Sequence, residues 1–411
     1  MLSPAAGKLL TFEEARHVVE EHASKLRPNG KELVELVDST GLLLAEPILA
    51  DRNFPPFPRS TRDGFAIRTG DLSKLPTKLQ VTAEIKAGSD LKIKVEPGQA
   101  AAIMTGAAVP QGSDAVVMVE YTARQGDWVE VTKGVSSGEN IVPSGSEAKR
   151  GERLLAPGTR LDHAAVAAAA SVGKSHLLVY LKPKVAVLAT GDEIVDLDVM
   201  PASHQMRNSN TYSLAAQIQA AGGEPVLLPI APDEPERLRE LMADGFEADL
   251  LLLSGGVSMG KYDLVEQVLA EFDAEFFFTG AQIQPGKPIV FGRALHGRDW
   301  KYFFGLPGNP ISTMVTFELF ARVMLEAVAG LTPHKLVFLH ARLKSEIKTK
   351  TGLKRFLPAI LSGELEHTEV ELAKWQGSGD LAAVSRANCY IVIPPDREKI
   401  AAGEWVPVML R

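Results

Sequence analysis

The sequence predicts an α/β multidomain protein. An α/β sandwich with a mixed, mainly parallel sheet is expected to carry an inserted β lobe, a split helical/β domain and a small carboxy-terminal β-barrel-like domain. Two observations predict this architecture. At 411 residues the chain is too long for one ordinary core. Between residues 183 and 330, apolar strands alternate with helical segments, which is typical of a parallel or mixed sheet with helices on both faces.

The composition excludes several classes of function. The net charge of -7 argues against a nucleic-acid-binding surface, which needs clustered Lys and Arg. The single cysteine, Cys389, excludes an intrachain disulfide framework and a Cys-rich zinc site. The most apolar stretch, residues 164–172, is far shorter than the roughly 20 residues that cross a bilayer. No basic segment followed by an apolar core opens the chain. We therefore expect a cytoplasmic protein with neither a nucleic-acid nor a membrane partner.

Four domains are predicted along the chain. The proline-rich run 54–58 is too stiff for a helix and predicts a hinge into the β lobe. Alternation of apolar and polar residues between 78 and 132 predicts that this lobe is mostly antiparallel. The expected bounds are 1–50 with 146–182 for the split domain, 51–145 for the β lobe, 183–330 for the α/β domain and 331–411 for the carboxy-terminal β domain.

Two helices are predicted in the split domain. Thr11 and Glu14 have the spacing of a capping box and predict a helix that runs to Lys25. An Ala-rich helix follows at about 159–173, with Gly173 near its end. We expect the second helix to pack against the first, which would make the β lobe an insertion.

Three loops rich in Gly, Ser or Pro each follow a predicted parallel strand. Ligands of open α/β sheets bind outside the carboxyl ends of the strands, and consecutive N–H groups in such loops form a concave anion site. Each loop alone is also an ordinary strand-to-helix turn with capping hydroxyls. Together they predict an anion-binding site. The loops are Thr190-Gly191-Asp192-Glu193, Ser254-Gly255-Gly256-Val257-Ser258-Met259-Gly260 and Gly305-Leu306-Pro307-Gly308-Asn309-Pro310, with Ser312 in the next turn.

Four carboxylates accompany these loops. Asp192 and Glu193 follow the first strand, Asp233 follows a strand predicted at 225–230, and Asp263 begins the helix after the Ser-Gly loop. Carboxylate oxygens beside a phosphate suit Mg²⁺ better than zinc. Asp233 and Asp263 are also candidate helix N-caps.

Lys287 and two turns of the β lobe complete the polar candidates. Lys287 stands in the turn Pro285-Gly286-Lys287-Pro288, which positions a cation at little entropic cost. Asp63 and Thr105 lie in polar turns that, taken alone, are connectors. No histidine pair or nucleophilic triad is evident, so covalent catalysis is disfavoured.

These segments, in this order, resemble the molybdopterin molybdenumtransferases, the MoeA family that includes the gephyrin E domain. The resemblance runs from about residue 11 to residue 407. The motifs that carry it are Ser60-Thr61-Arg62-Asp63-Gly64-Phe65-Ala66, Thr105-Gly106, Asp114-Ala115-Val116, Thr190-Gly191-Asp192-Glu193, Ser254-Gly255-Gly256-Val257-Ser258, Pro285-Gly286-Lys287-Pro288, Gly305-Leu306-Pro307-Gly308-Asn309-Pro310 and Gln376-Gly377-Ser378-Gly379.

The resemblance implies a molybdopterin-binding-like α/β domain within an elongated homodimer, with the site between the α/β domain of one protomer and the β lobe of the other. The implied reaction inserts molybdenum from molybdate into adenylylated molybdopterin and releases AMP, with Mg²⁺ or a similar divalent cation. The implied partners are the second protomer and, transiently, the adenylyltransferase and recipient molybdoenzymes.

The resemblance also implies roles for individual residues. The expected catalytic residues are Asp63, Thr105, Glu193, Asp263 and Lys287. The expected metal ligands are Glu193, Asp233 and Asp263. The expected substrate-binding residues are Thr190, Gly191, Asp192, Ser254, Gly255, Gly256, Ser258, Gly260, Pro307, Gly308, Asn309, Pro310, Ser312 and Ser378.

The chain departs from the family where cations are usual. Gly280 and Gln284 stand before the Pro-Gly-Lys-Pro turn, and Val142 follows the Asn-Ile pair, where many members have basic residues. Lys149, Arg150 and Arg355 are candidates to compensate.

Two other functions stay open at this point. One is a non-catalytic molybdopterin-binding or scaffold protein. The other is a molybdopterin adenylyltransferase, which shares the Ser-Gly-Gly type of α/β module but lacks the additional lobes.

Overall fold

The computed structural model describes residues 9–89, 92–256, 264–332 and 335–411. Its α-helices are α1 (Phe12–Ala23), α2 (His163–Ser171), α3 (Ser209–Ala221), α4 (Pro235–Phe246), α5 (Leu264–Ala270), α6 (Pro310–Thr316), α7 (Arg322–Ala329) and α8 (Leu381–Arg386). A π-helical turn, Phe317–Ala321, joins α6 to α7. Short 3₁₀ turns lie at Leu36–Asp38, Thr69–Leu72, Val119–Tyr121 and Leu365–His367.

A six-stranded mixed sheet organises the α/β domain. Its order is Glu224–Leu227, Lys184–Ala189, Leu250–Ser254, Asp299–Leu306, Val290–His296 and Glu275–Phe278. The first four strands pair in parallel, and Val290–His296 pairs antiparallel with both of its neighbours. The Lys184–Ala189 and Leu250–Ser254 strands are almost wholly buried, which explains their continuous apolar runs. The two core clusters of this domain both draw residues from these strands, as expected for a covered sheet. A short parallel pair, Ile194–Val195 with Met206–Arg207, lies apart from this sheet.

Helix α1 begins as the sequence predicts. The Thr11 side chain caps the helix, and Glu14 completes the capping box by accepting from the Thr11 N–H at 2.9 Å. The expected packing of the Ala-rich helix against α1 is wrong. The buried face of α1 joins the core of the α/β domain, where Phe12 lies 6.0 Å from Phe320 between ring centroids. Helix α2 lies in a separate small core with Leu44 and Ile48. Phe12 of α1 reaches the aromatic side chains of the larger core, whereas the Ala-rich face of α2 packs in the smaller one.

The β lobe is inserted between two segments of the chain, one before it and one after it, that pair with each other. Strands on either side of the lobe pair with each other, as Lys31–Glu35 with His176–Tyr180 and Ile48–Leu49 with Arg153–Leu155. The lobe itself has a six-stranded sheet in the order Ala115–Met118, Gly64–Ile67, Gln99–Ile103, Thr77–Ile85, Trp128–Val131 and Thr122–Gln125. One parallel pair interrupts an otherwise antiparallel sheet, which confirms a mostly antiparallel lobe. A further short pair is Arg59–Ser60 with Ile141–Val142.

The carboxy-terminal strands close into a small barrel, as predicted. Their order is Lys354–Ser362, Glu369–Leu372, Leu339–Leu343, Trp405–Leu410 and Cys389–Ile393, and the last strand pairs back with the first. The short strand Ile283–Gln284 pairs with Lys354–Ser362 of the barrel. A separate short pair joins Ile347–Lys348 to Lys399–Ile400. The remaining pair is Leu9–Leu10 with Gly280–Ala281. The α/β multidomain fold class is thereby confirmed, while the four domain bounds stay predictions.

Candidate functional site

The loops that follow the parallel strands meet at one edge of the sheet. The Thr190 N–H donates to the Ser254 carbonyl at 3.1 Å, and the Gly255 N–H donates to the Leu306 carbonyl at 3.3 Å. The Gly191 N–H donates to the Ala231 carbonyl at 3.2 Å, which brings in the segment after the Glu224–Leu227 strand. The sequence-predicted loops therefore form one continuous surface at the carboxyl ends of the strands.

Gly255 and Gly256 are required at this surface. Both have positive φ, +96° and +63°. A Cβ on Gly255 would lie 2.8 Å from the Thr190 carbonyl oxygen, and one on Gly256 would lie 2.8 Å from Thr190 Oγ1. The Thr190 hydroxyl is buried beneath this turn and has no hydrogen-bond partner among the described residues. A turn that exists only to reverse the chain would not need to keep a polar group unpaired there.

Asn210 connects two of the loops and was not singled out from the sequence. It lies in the first turn of α3, where its Nδ2 donates to Ser254 Oγ at 2.9 Å and to the Gly308 carbonyl at 2.7 Å. Asn208, two residues earlier, is the N-cap. An asparagine next to a helix start is typical of capping, so the local pattern gave no signal for a second asparagine with another role.

The Pro307 to Pro310 loop leads directly into α6. Pro310 is in the first turn and Asn309 is the N-cap, but the Asn309 side chain makes no capping bond. The Ile311 N–H, which lacks an intrahelical acceptor, donates to the Ser378 carbonyl at 2.9 Å. Ser378, from the barrel, therefore lies at the start of α6 beside Ser312, which is buried.

The turn that carries Lys287 packs on the same helix. Gly286 has φ +107°, and a Cβ there would lie 2.4 Å from Thr316 Cγ2 of α6. The Lys287 side chain is exposed and forms no ion pair with any described residue. The backbone of the turn that carries Lys287 therefore packs on α6 near Thr316 and the Ser312 carbonyl.

A buried arginine lies next to this turn. Arg355 is 7% exposed and is directly opposite Gln284 in a parallel pairing. Its guanidinium donates to the Leu353 carbonyl at 3.0 Å and has no carboxylate partner within the described part of the chain. Burial lowers the pKa of Arg355, but the group keeps its charge at neutral pH. Of the three candidates to compensate for Gln284, Arg355 is the one that this pairing places beside it.

Gly280 has a structural explanation. It pairs with Leu9, and a Cβ at Gly280 would lie 3.0 Å from Leu9 Cδ1. The amino-terminal strand occupies the space that a longer side chain would need here.

Carboxylates gather at the Thr190 loop. Asp192 Oδ1 accepts from the Asp233 N–H at 3.1 Å, and a Cβ on Gly191 would lie 2.5 Å from the Glu193 carboxylate. Burial raises the pKa of Asp233, and the charges of Asp192 and Glu193 raise it further. Asp233 is not the cap of α4, because Glu234 holds that position. The described residues include no group of three His, Cys, Asp or Glu side chains arranged to hold a metal ion.

The two polar turns of the β lobe also come together. Asp63 Oδ1 accepts from the Thr105 N–H at 2.6 Å and from the Thr105 hydroxyl at 3.0 Å. These bonds lower the pKa of Asp63, which is exposed. In the part of the chain that is described, no hydrogen bond or ion pair links this pair to the loops of the α/β sheet. Asp114 accepts from the Thr69 N–H and hydroxyl, but on its two separate oxygens, and so holds a turn within the lobe.

Three predicted site residues, Ser258, Gly260 and Asp263, lie outside the described residues. Their proposed roles stay predictions.

Comparisons with known proteins cover nearly the whole chain. Residues 10–173 match the MoeA N-terminal region (domain I and II), residues 186–327 match a probable molybdopterin binding domain, and residues 340–410 match the MoeA C-terminal region (domain IV). The chain belongs to the MoeA family. A molybdopterin molybdenumtransferase from Nostoc sp. is 34% identical over 387 residues, which cover 92% of this chain and 88% of that protein.

Other MoeA relatives agree in sequence and in fold. The molybdopterin molybdenumtransferase from Bacillus subtilis is 32% identical over 392 residues, 92% of this chain and 89% of its own. The crystal structure of a molybdopterin biosynthesis MoeA protein from Pyrococcus horikoshii superposes with a TM-score of 0.80 at 29% identity, covering 98% of this chain and 100% of that one. As a member of this family, the chain has a role in molybdenum cofactor biosynthesis. None of its described helices has the length and apolar character needed to span a bilayer.

Proposed function

We propose that this chain is a molybdopterin molybdenumtransferase that takes adenylylated molybdopterin and molybdate, cleaves the adenylyl phosphoanhydride, releases AMP and leaves molybdenum on the dithiolene sulfurs. The relatives that match over most of the chain carry this name. The observation that carries the proposal is the single cradle that the Thr190, Ser254 and Pro307 loops form at the carboxyl ends of the strands, where hydrogen bonds join them to one another. Such a cradle suits substrates that are both anions.

The cleavage needs charge neutralisation and positioning rather than a nucleophilic side chain. Exposed Lys287, on the turn that packs on α6, and buried Arg355, opposite Gln284, would supply positive charge to the cradle. The turn at Gly255 and Gly256 would orient the phosphate, and water is the attacking group. A buried cation without a carboxylate partner is costly to maintain, which favours an anionic ligand for Arg355.

Mg²⁺ fits the residues at the other side. Glu193 and Asp233 would hold it, because Mg²⁺ uses one or two carboxylates and takes its remaining ligands from water and substrate phosphates. Burial raises the pKa of Asp233, and the neighbouring charges of Asp192 and Glu193 raise it further, an effect that a bound cation would oppose. When bound, the ion would neutralise charge on the phosphoanhydride.

We further propose that the protein works as a cytoplasmic homodimer, in which the Asp63–Thr105 pair of one copy completes the cradle of the other. The pair is polar and exposed, and the bonds that join its two turns preorganise it within the lobe. Transient contacts with the adenylyltransferase and with recipient molybdoenzymes belong to the same proposal. The buried free thiol of Cys389 is consistent with a reducing compartment.

The test is to incubate the purified protein with adenylylated molybdopterin, molybdate and Mg²⁺, and to follow AMP release beside activation of a cofactor-free molybdoenzyme. Molybdate-dependent AMP release with activation is expected, and both are expected to stop when Mg²⁺ is removed by a chelator. Asp233→Asn should lower the rate by roughly 100-fold, the scale of losing one charge-stabilising group. Asp244→Asn is the matched control, since Asp244 is exposed at the far end of α4. Tight pterin binding without AMP release would instead indicate a binding or scaffold protein.

A further inference from the structure

Asn210 is placed where one side chain can control two loops. Helix α3 follows the Thr190 loop in the chain, Ser254 ends the next strand of the sheet, and Gly308 follows the strand after that. The Asn210 amide group therefore joins elements that follow three adjacent strands. Gly255 and Gly308 are in near contact, since a Cβ on Gly308 would lie 3.7 Å from Gly255 Cα.

The orientation of this amide is fixed by its partners. The Gly308 carbonyl can only accept a hydrogen bond, so the Asn210 NH₂ group and not its oxygen must face it. The second N–H of the same group then points at Ser254 Oγ. Ser254 Oγ is consequently an acceptor in this contact, and its own proton must point elsewhere.

The Ser254 hydroxyl is therefore left as a donor directed away from Asn210. Ser254 is 3% exposed, and its hydroxyl donates to no other described residue. A buried donor without an acceptor costs free energy, and this one belongs to the loop that lines the proposed anion cradle.

We propose that Asn210 is a positioning residue for the transfer reaction: it fixes the Ser254 hydroxyl as a hydrogen-bond donor to the phosphate of the adenylylated substrate and holds the Ser254 and Gly308 loops at one spacing. The inference rests on the proposed function, because the phosphate is that of its substrate. Asn210 acts through Ser254 and does not itself touch the reacting atoms.

Gln217 is a matched control on the same helix. Its Nε2 also makes two donor bonds to the neighbouring helical segment, to the Met314 carbonyl at 3.1 Å and to Glu318 at 2.7 Å. It lies seven residues, about two helical turns, farther from the loops. A role confined to packing α3 against α6 would make the two residues equivalent.

The experiment measures the KM for adenylylated molybdopterin and the KM for molybdate in Asn210→Ala, Ser254→Ala, the double variant and Gln217→Ala. Asn210→Ala and Ser254→Ala should each raise the KM for the adenylylated pterin roughly tenfold, the effect of losing one hydrogen bond to a charged group. The KM for molybdate should change by less than about twofold. The double variant should also show roughly a tenfold rise, because both changes remove the same donor.

Asn210→Asp is a second, nearly isosteric variant that tests the proposal if the alanine variant folds poorly. A carboxylate would accept the Ser254 proton and turn the hydroxyl away from the phosphate, so its KM should exceed that of Asn210→Ala. A double variant whose effect is the product of the single effects would overturn the proposal, as would a Gln217→Ala variant with the same KM change. Inactivity of the unsubstituted protein would instead reject the proposed function. Its activity is therefore measured before any variant is compared with it.

Discussion

At the scale of single residues, Asp63 and Asp114 form a natural pair. Each accepts a backbone N–H and a hydroxyl from one threonine of the β lobe, Thr105 and Thr69 respectively. We expect Asp63→Asn to lower the rate of AMP release by more than about tenfold, because it removes the carboxylate proposed to complete the catalytic site. Its midpoint of thermal unfolding should change little, because the asparagine oxygen still accepts both bonds. Asp114→Asn should leave the rate within about twofold, and equal losses of rate in both variants would contradict a role for Asp63 in the site.

The residue scale also separates what the sequence predicts from what it misses. Gly255 and Gly256 could be predicted, because their need for positive φ depends on a turn that is local in the chain. Asn210 could not be identified in this way, since its partners lie 44 and 98 residues away. Arg355 was one of three candidate cations, and only its pairing with Gln284 distinguishes it from the other two. A local pattern shows an asparagine near a cap and an arginine in a strand, and only the packed sheet shows what each faces.

At the scale of elements, α1 is held on the α/β sheet by a histidine. The His22 ring stacks on Phe277 at 3.9 Å between centroids, and its Nδ1 lies 3.1 Å from the Tyr302 hydroxyl. Burial lowers the pKa of His22 below its ordinary value of 6.5, and the charge of Lys25 lowers it further. Between the lowered pKa of the native state and 6.5, the unfolded chain binds more protons than the native chain. The contribution of His22 to stability is therefore complete above pH 6.5, and it is lost as the pH falls from 6.5 to the native pKa.

We therefore expect the unfolding midpoint to fall when the pH is lowered from about 7 to about 5, and to fall less in His22→Phe, which keeps the stacking but cannot titrate. Thermal unfolding followed by circular dichroism at several pH values measures this difference. Equal slopes for the two proteins would show that His22 does not contribute. Because other groups titrate in the same range, the contribution of His22 is the difference between the pH slopes of the two proteins.

Element boundaries and element packing differ in how well the sequence predicts them. The capping box at Thr11 and Glu14 identifies the start of α1, because both halves of that signal lie within four residues. The partner of α1 was predicted wrongly, because an apolar helix face shows only that something covers it. In the folded chain Phe12 lies 5.3 Å from Phe356 of the barrel and 6.0 Å from Phe320 of the π-helical turn. The amino-terminal helix thus joins a core that extends from the sheet into the barrel.

At the scale of the whole molecule, the β lobe has core clusters of its own, separate from the core that α1 shares with the sheet and the barrel. A lobe built in this way can present Asp63 and Thr105 to a second copy of the chain.

If the site lies between two copies, a dimer of one Asp63→Asn chain and one Asp233→Asn chain contains one site with both defects and one with neither. Two inactive variants should then recover activity when mixed under conditions of subunit exchange. With random exchange about half of the dimers are mixed, so about a quarter of the unsubstituted activity is expected.

The control is a mixture of Asp233→Asn with Lys287→Met. Both positions are on the α/β side, so every site in a mixed dimer carries a defect and no activity should return. Differently tagged copies show whether exchange has taken place. Recovery in the first mixture alone would place the β lobe of one copy at the cradle of the other. Proven exchange without recovery would mean that each chain builds its site alone, and Asp63 would then have to reach the cradle of its own chain by a movement of the lobe.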